Sequence, residues 1–395
     1  MSIAVESPGA HGKATDPYRV FFPLGIITGL AGVSIWPLYY FGVTEGFSGR
    51  AHAFVQIGGF LYCFAAGFLL TAVPRFTGTE APSRAAQYVL AIILLASASA
   101  FEFQAFAAGH AALLAAHLSL MTMLARCFIR RQQTPPSTFA LVGTGLVSGA
   151  IAAALNTAIA FDLIAPSWDP LAKRLPTEGM FLMFVLGVGG FLGPRLLGFA
   201  ELPKVTNLGS AASASPGYAL AALALLFSLI AEYGFGYEKA VFLRAAITTA
   251  VIASTAQPWR LPAVRTTLAW CVWTANLMVI GSVWLTAFMP AYRVDFLHVL
   301  FIGGFTLLIL AIGTRVTLSH GGHPLSQEKG SWPLRIGLAM GLIAMLARIG
   351  APFASETYFE HLALAALLWI AGMGFWVFYL VRLLVPPSRK LTRSM

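Results

Sequence analysis

The sequence predicts an all-α polytopic membrane protein of about twelve helices, on three observations. Of its 395 residues 58% are hydrophobic and only 10% are charged, where soluble domains carry roughly one quarter charged residues. The mean hydropathy is +0.78. Apolar runs of roughly 20 residues, the length that crosses a hydrocarbon core of about 30 Å, recur from Val20 to the end. A soluble globular enzyme, a disordered chain and a nucleic-acid binder are excluded, and the lipid bilayer is the first partner implied.

Helices are expected near 20 to 41, 53 to 73, 87 to 107, 110 to 129, 138 to 161 and 178 to 198, then near 217 to 235, 240 to 256, 267 to 289, 296 to 317, 333 to 349 and 359 to 384. The first 19 residues carry Glu6, Lys13 and Asp16 without a charged, apolar, small-residue signal pattern, so helix one reads as an uncleaved anchor. The third and fourth spans meet at Ala108-Gly109-His110 with almost no loop. At roughly 22 residues per span no soluble domain fits, and residues 1–395 form a single transmembrane domain. Cys63, Cys127 and Cys271 lack CxxC or CxxCH spacing and read as small buried apolar residues, which argues against disulfides and covalent haem.

Lysine and arginine number 18 on the tails and on the loops after helices 2, 4, 6, 8 and 10, against 7 on the alternate loops. The positive-inside rule then places both termini in the cytoplasm. The net charge of +10 follows from this topology and needs no anionic partner.

Three helices end alike. Helix 2 closes on Val73-Pro74-Arg75, helix 6 on Gly193-Pro194-Arg195 and helix 10 on Gly313-Thr314-Arg315, with arginines at intervals of 120 residues. Each also carries Gly-Gly-Phe: Gly58-Gly59-Phe60, Gly189-Gly190-Phe191 and Gly303-Gly304-Phe305. The offset from glycines to arginine varies, and arginine is common at cytoplasmic helix ends, so accident competes with a repeat of three four-helix units, about 19–135, 136–258 and 259–385. Three arcs of four helices resemble the main subunit of haem-copper oxidases and nitric oxide reductases, as an analogy of architecture alone.

His52, His110, His298 and His361 fall at the outer ends of helices 2, 4, 10 and 12, with His117 two turns deeper. Imidazoles gathered at one depth in a membrane are candidate ligands for haem iron or copper. His52 and His298 make the sharpest pair, each shortly before a Gly-Gly pair. Small residues there let a flat macrocycle or a neighbouring helix approach the backbone, which makes Gly58, Gly59, Gly303 and Gly304 candidate cofactor contacts. A b-type haem between the two histidines follows. Arg50 and Arg293 flank this depth and suit haem propionates, or are snorkelling interfacial residues. Asp295, one turn before His298, is a candidate acceptor from its imidazole. Glu178 stands 17 residues before Arg195, as His298 stands before Arg315, and joins His52, His298, His110 and His361 as a candidate metal ligand. Glu102 and Glu232, near the outer ends of helices 3 and 7, are weaker candidates for the same role, against a reading as solvated helix ends, and His320 and His323 read as a cytoplasmic loop. No Walker lysine loop, GxGxxG, HExxH or GxSxG is present, so phosphoryl-transfer and hydrolase chemistry lack their parts.

The stretch His52-Ala53-Phe54-Val55-Gln56-Ile57-Gly58-Gly59-Phe60, followed by Gly67-Phe68-Leu69-Leu70-Thr71-Ala72-Val73-Pro74, resembles a signature of the NnrS proteins. These are haem- and copper-containing bacterial inner-membrane proteins associated with the response to nitric oxide. His298 to Gly304, with Gly313-Thr314-Arg315-Val316-Thr317-Leu318-Ser319-His320-Gly321-Gly322, resembles the second signature, and Tyr18-Arg19-Val20-Phe21-Phe22-Pro23-Leu24 also fits. The resemblance carries over His52 and His298, and His320 more weakly. Phe54 and Val55 stand where the family has a second His and a Glu, which counts against copper and leaves haem b its two ligands. Helix 6 departs as well, without an arginine soon after its glycines.

The function implied is haem binding near the outer face of the inner membrane, in the nitrosative stress and denitrification chemistry of nitric oxide, with an electron donor as partner. One iron bound by both histidines is six-coordinate, which suits electron transfer or sensing; separate centres suit a reductase. A haem-free proton-coupled transporter and a haem or copper handling factor for respiratory-complex assembly are the alternatives.

Overall fold

A computed structural model describes residues 16–200 and 215–384. Lys13, Arg389, Lys390 and Arg393 of the tails and Lys204 of a loop, all counted for orientation, lie outside them, as does Glu6. The described residues are almost wholly helical and contain no strand. Eleven helices are long and apolar enough to cross a membrane, and the segment expected at 240 to 256 forms a shorter apolar helix of 17 residues. In chain order these are α1 Tyr18–Tyr40, α2 Gly49–Thr77, α3 Arg84–Glu102, α4 Phe106–Ile129, α5 Phe139–Ala160, α6 Pro166–Leu196, α7 Pro216–Gly234, α8 Ala240–Ala256, α9 Thr267–Phe288, α10 Pro290–Gly321, α11 Trp332–Gly350 and α12 Tyr358–Leu384.

The three helices with matching ends are the innermost. Their apolar windows are 78%, 67% and 72% buried for α2, α6 and α10, against 28 to 50% for the other long spans. Around them α1, α3, α4, α5, α7, α8, α9, α11 and α12 pack in that order, and α12 returns to α1. The central helices run 29, 31 and 32 residues, longer than the expected spans. An apolar window stops at the first polar residues, whereas these helices continue through them: α6 starts at Pro166 rather than near 178, and α10 at Pro290 rather than near 296.

Each central helix widens into a π-helical stretch, Gln56–Leu61 in α2, Leu175–Phe181 in α6 and Val299–Thr306 in α10. Wider helix turns offset the backbone bonding by one residue and leave carbonyls to be satisfied otherwise, a geometry common at functional sites. In a membrane such carbonyls need protein donors. Near the α6 stretch Ser148 Oγ donates to the Leu175 carbonyl at 3.0 Å, and in α10 Thr306 Oγ1 donates to Phe301 at 3.0 Å. Ser282 Oγ supplies the Phe296 carbonyl at 2.8 Å.

The break between α3 and α4 falls at Phe103 to Ala105, with Gln104 at φ 59°, rather than at Ala108-Gly109-His110. Gly109 lies inside α4, where a Cβ would come within 2.5 Å of the Phe101 ring: it marks close helix contact instead of a turn. Cys63, Cys127 and Cys271 are free and buried, as their spacing implied.

Candidate functional site

One end of the central trio carries His52, Glu178 and His298; the other carries Arg75, Arg195 and Arg315. At the first end α2 leans on α1 through glycine. A Cβ on Gly32 would meet Gln56 Nε2 and Val55 Cγ1 at 2.8 Å, and this close approach brings His52 Nδ1 to 2.7 Å from the Gly32 carbonyl. Gln56 Nε2 donates to the Gly29 carbonyl at 2.8 Å one turn deeper. Trp36 stands edge-on to the His52 ring at 5.4 Å.

On α10 the His298 Nδ1 lies 2.8 Å from the Val294 carbonyl, where the helix is about to widen. A carbonyl only accepts, so both rings carry their proton on Nδ1 and present an unprotonated Nε2. His52 and His298 lie within electrostatic range of one another, and Arg348 lies within range of both. Each retains some accessible surface. Two imidazoles with Nδ1–H tied to carbonyls and Nε2 free have the arrangement that metal-bound histidines adopt, so these residues fit the axial ligation of a b-type haem.

Other expected members of the site have different partners. Asp295 does not reach His298; its Oδ1 accepts from Arg348 Nη1 at 2.7 Å, and the Val294 carbonyl takes the imidazole proton instead. Arg293 and Glu178 are bonded to each other at 3.0 Å, while Glu178 Oε1 and Arg293 Nε have no hydrogen-bond partner among the described residues. Arg50 lies over Phe106 at 4.3 Å and Phe54 at 5.6 Å. His110 is buried between Phe54 and Phe101, at ring separations of 4.5 and 4.9 Å, and its Nε2 lacks a protein partner. His361 Nδ1 lies 2.9 Å from the Thr357 carbonyl. Among the described residues no three His, Cys, Asp or Glu side chains converge to hold a metal. The five ligands expected from sequence therefore do not form one centre.

The glycine pairs serve helix packing. A Cβ on Gly58 would lie 3.2 Å from Leu113 and one on Gly59 2.8 Å from Thr28; on Gly303 it would meet Met345 Sδ at 2.6 Å and on Gly304 Val279 at 2.9 Å. Neighbouring helices already occupy the space a macrocycle would need against those backbones. His117 is a satisfied core residue, with Nδ1 2.9 Å from Tyr62 Oη and Nε2 2.9 Å from the Leu146 carbonyl. At the opposite end His320 Nε2 accepts from Arg75 Nη1 at 3.0 Å and His323 Nε2 donates to Leu383 at 2.9 Å.

Two residues, Arg244 and Arg348, escaped the sequence reading. Arg244 is 1% exposed and bonds Glu232 at 2.6 Å and Glu178 at 3.0 Å. Glu232, a weaker candidate in the sequence, is buried with it. Arg348 is paired with Asp295 at 2.7 Å and lies within electrostatic range of the two histidines. The available signal was a cation inside an apolar helix, which a membrane interior tolerates only with an acidic partner.

This is a multi-pass helical membrane protein with an imidazole pair and a buried ionic cluster gathered at one end of three central helices. The NnrS protein family model matches residues 14–388, nearly the whole length. The chain belongs to the NnrS family, and that membership makes it a membrane protein of the nitric oxide response. No curated protein matches it in sequence.

Proposed function

We propose that the protein binds a b-type haem through His52 and His298 and acts in the bacterial inner membrane on nitric oxide or a related nitrogen oxide, drawing on an electron donor. One observation carries the reading: two imidazoles at the same end of the central helices α2 and α10, each with Nδ1 bonded to a carbonyl. When bound, the haem supplies one-electron exchange at iron and, wherever an axial position opens, a site for a diatomic ligand. The chain's own part is orientation. Gly32 and Val294 fix the imidazole tautomers, Trp36 and Phe301 bound the two rings at 5.4 and 5.8 Å, and Arg348 adds positive charge beside them.

Copper is left out of the proposal, because Phe54 and Val55 hold no ligand atom. The lysine and arginine count supports cytoplasmic termini, and the 120-residue spacing supports three four-helix units. The transporter reading draws on the charged cluster around Glu178, but its five charges, Glu178, Glu232, Arg174, Arg244 and Arg293, are in ion pairs with one another and lie at one end of the central helices, whereas transporters bind substrate near the midplane.

The test is the optical spectrum of purified protein, oxidised and dithionite-reduced, with iron analysis and then nitric oxide. The expected result is a sharp b-type reduced spectrum lost equally in His52→Ala and His298→Ala. Colourless, iron-free protein made with ample haem overturns the proposal and turns attention to transport.

A further inference from the structure

We propose that the cavity between α2, α6 and α10 is a binding site for one small uncharged gas molecule, the class to which nitric oxide, oxygen and xenon belong. The cavity has a volume of about 100 Å³ and its walls include Phe64, Phe68, Phe181, Phe184, Phe305 and Ile309. Every lining residue is Phe, Leu, Ile, Val, Ala or Gly. An ion or a water molecule held there would forfeit its hydrogen bonds, whereas an apolar guest forfeits nothing.

Size narrows the class further. Apolar cavities of ~150 Å³ stay dry and accept benzene or xenon, so about 100 Å³ suits a single atom or a diatomic molecule. The setting favours the same guest, since the three walls belong to the most buried helices of the bundle and small gases dissolve readily in the surrounding hydrocarbon.

Aromatic rings also join the cavity to the histidine end. Phe305 lies 6.1 Å from Phe301, and Phe301 lies 5.8 Å from His298, ring to ring. The cavity thus lies two aromatic ring contacts from His298, on the way to the imidazole pair. Any supply of gas to that pair rests on the haem reading, while gas binding itself does not.

Gly189 lines the cavity, and a Cβ there meets no atom within 4 Å. Gly189→Leu therefore starts its side chain in open space and extends it into the cavity. Crystals of the full-length protein under xenon pressure provide the test by anomalous diffraction. The expected result is one xenon peak between Phe64, Phe181 and Phe305, absent from Gly189→Leu crystals of unchanged melting temperature; Val185→Phe, from the same wall, serves if that variant does not fold. Ordered water or an acyl chain in the cavity, no xenon peak, or a peak that survives the filling variants overturns the proposal. Xenon bound by protein that proves iron-free supports this site while ending the haem reading, and iron-loaded protein without xenon does the reverse.

Discussion

Arg293 Nη2 donates to Glu178 Oε2 at 3.0 Å, tying α10 to α6 across 115 residues of sequence. The same guanidinium reaches Glu232 at 2.5 Å, and Arg244 bonds both acids. Four helices are thereby joined through one buried cluster of alternating charge. Deleting one member of a buried ion pair leaves its partner uncompensated, at about 3–5 kcal/mol. Arg244→Gln and Glu232→Gln should each lower the melting temperature of purified protein by several degrees. The double variant Arg244→Met with Glu232→Met should recover much of that loss. Single variants that melt with the unaltered protein would mean that water reaches the cluster.

Packing of α1 on α2 rests on glycines that have no room for a methyl group. A Cβ on Gly59 would lie 2.8 Å from Thr28 Cβ, and one on Gly25 2.8 Å from the Phe64 ring. Overpacking of this kind costs about 1–3 kcal/mol, so Gly59→Ala should melt lower by that measure. Gly143 is exposed on α5 with no atom within 4 Å of its ideal Cβ, and Gly143→Ala should be near neutral. Equal melting of the two variants would contradict the tight contact.

The all-helical membrane class and the matching ends of three helices were legible because hydropathy and spacing are local properties. Their places were not. Nothing in one window says that the Arg75, Arg195 and Arg315 helices are the innermost, or that each widens near its polar end. His52 and His298 were legible as a pair by depth and motif. Arg293 and Glu178 were read at the right depth with the wrong partners, because depth fixes how far along a helix a charge sits and says nothing of which way it faces. Gly58 and Gly303 show the same limit: small residues predict a close neighbour, and here the neighbours are Leu113 and Met345.

The carbonyl of Gly32 offers a way to separate positioning from stability. Gly32→Ala would place a methyl group 2.8 Å from both Gln56 Nε2 and Val55 Cγ1, forcing α1 and α2 apart where His52 is held. Its stability cost should match that of Gly59→Ala, about 1–3 kcal/mol. On the haem reading only Gly32→Ala should also shift or broaden the reduced absorption bands, with haem content retained, because Gly59 lies two turns from His52. Identical spectra for the two variants would remove the Gly32 carbonyl from any part in ligand orientation.

Arg348 and Asp295 are paired at 2.7 Å, and Arg348 lies within range of His52 and His298. A positive charge near a haem favours the reduced state, which carries one more electron, and a negative charge favours the oxidised state. On the haem reading Arg348→Gln should lower the midpoint potential, and Asp295→Asn should raise it. A unit charge in a partly solvated site is worth on the order of 1 kcal/mol, so shifts of tens of millivolts are expected in a potentiometric titration. Both substitutions break the same ion pair, and a purely structural effect would move the potential in one direction for both. Opposite shifts would identify electrostatic control of the site, and a common direction would reduce the pair to a tie between α10 and α11.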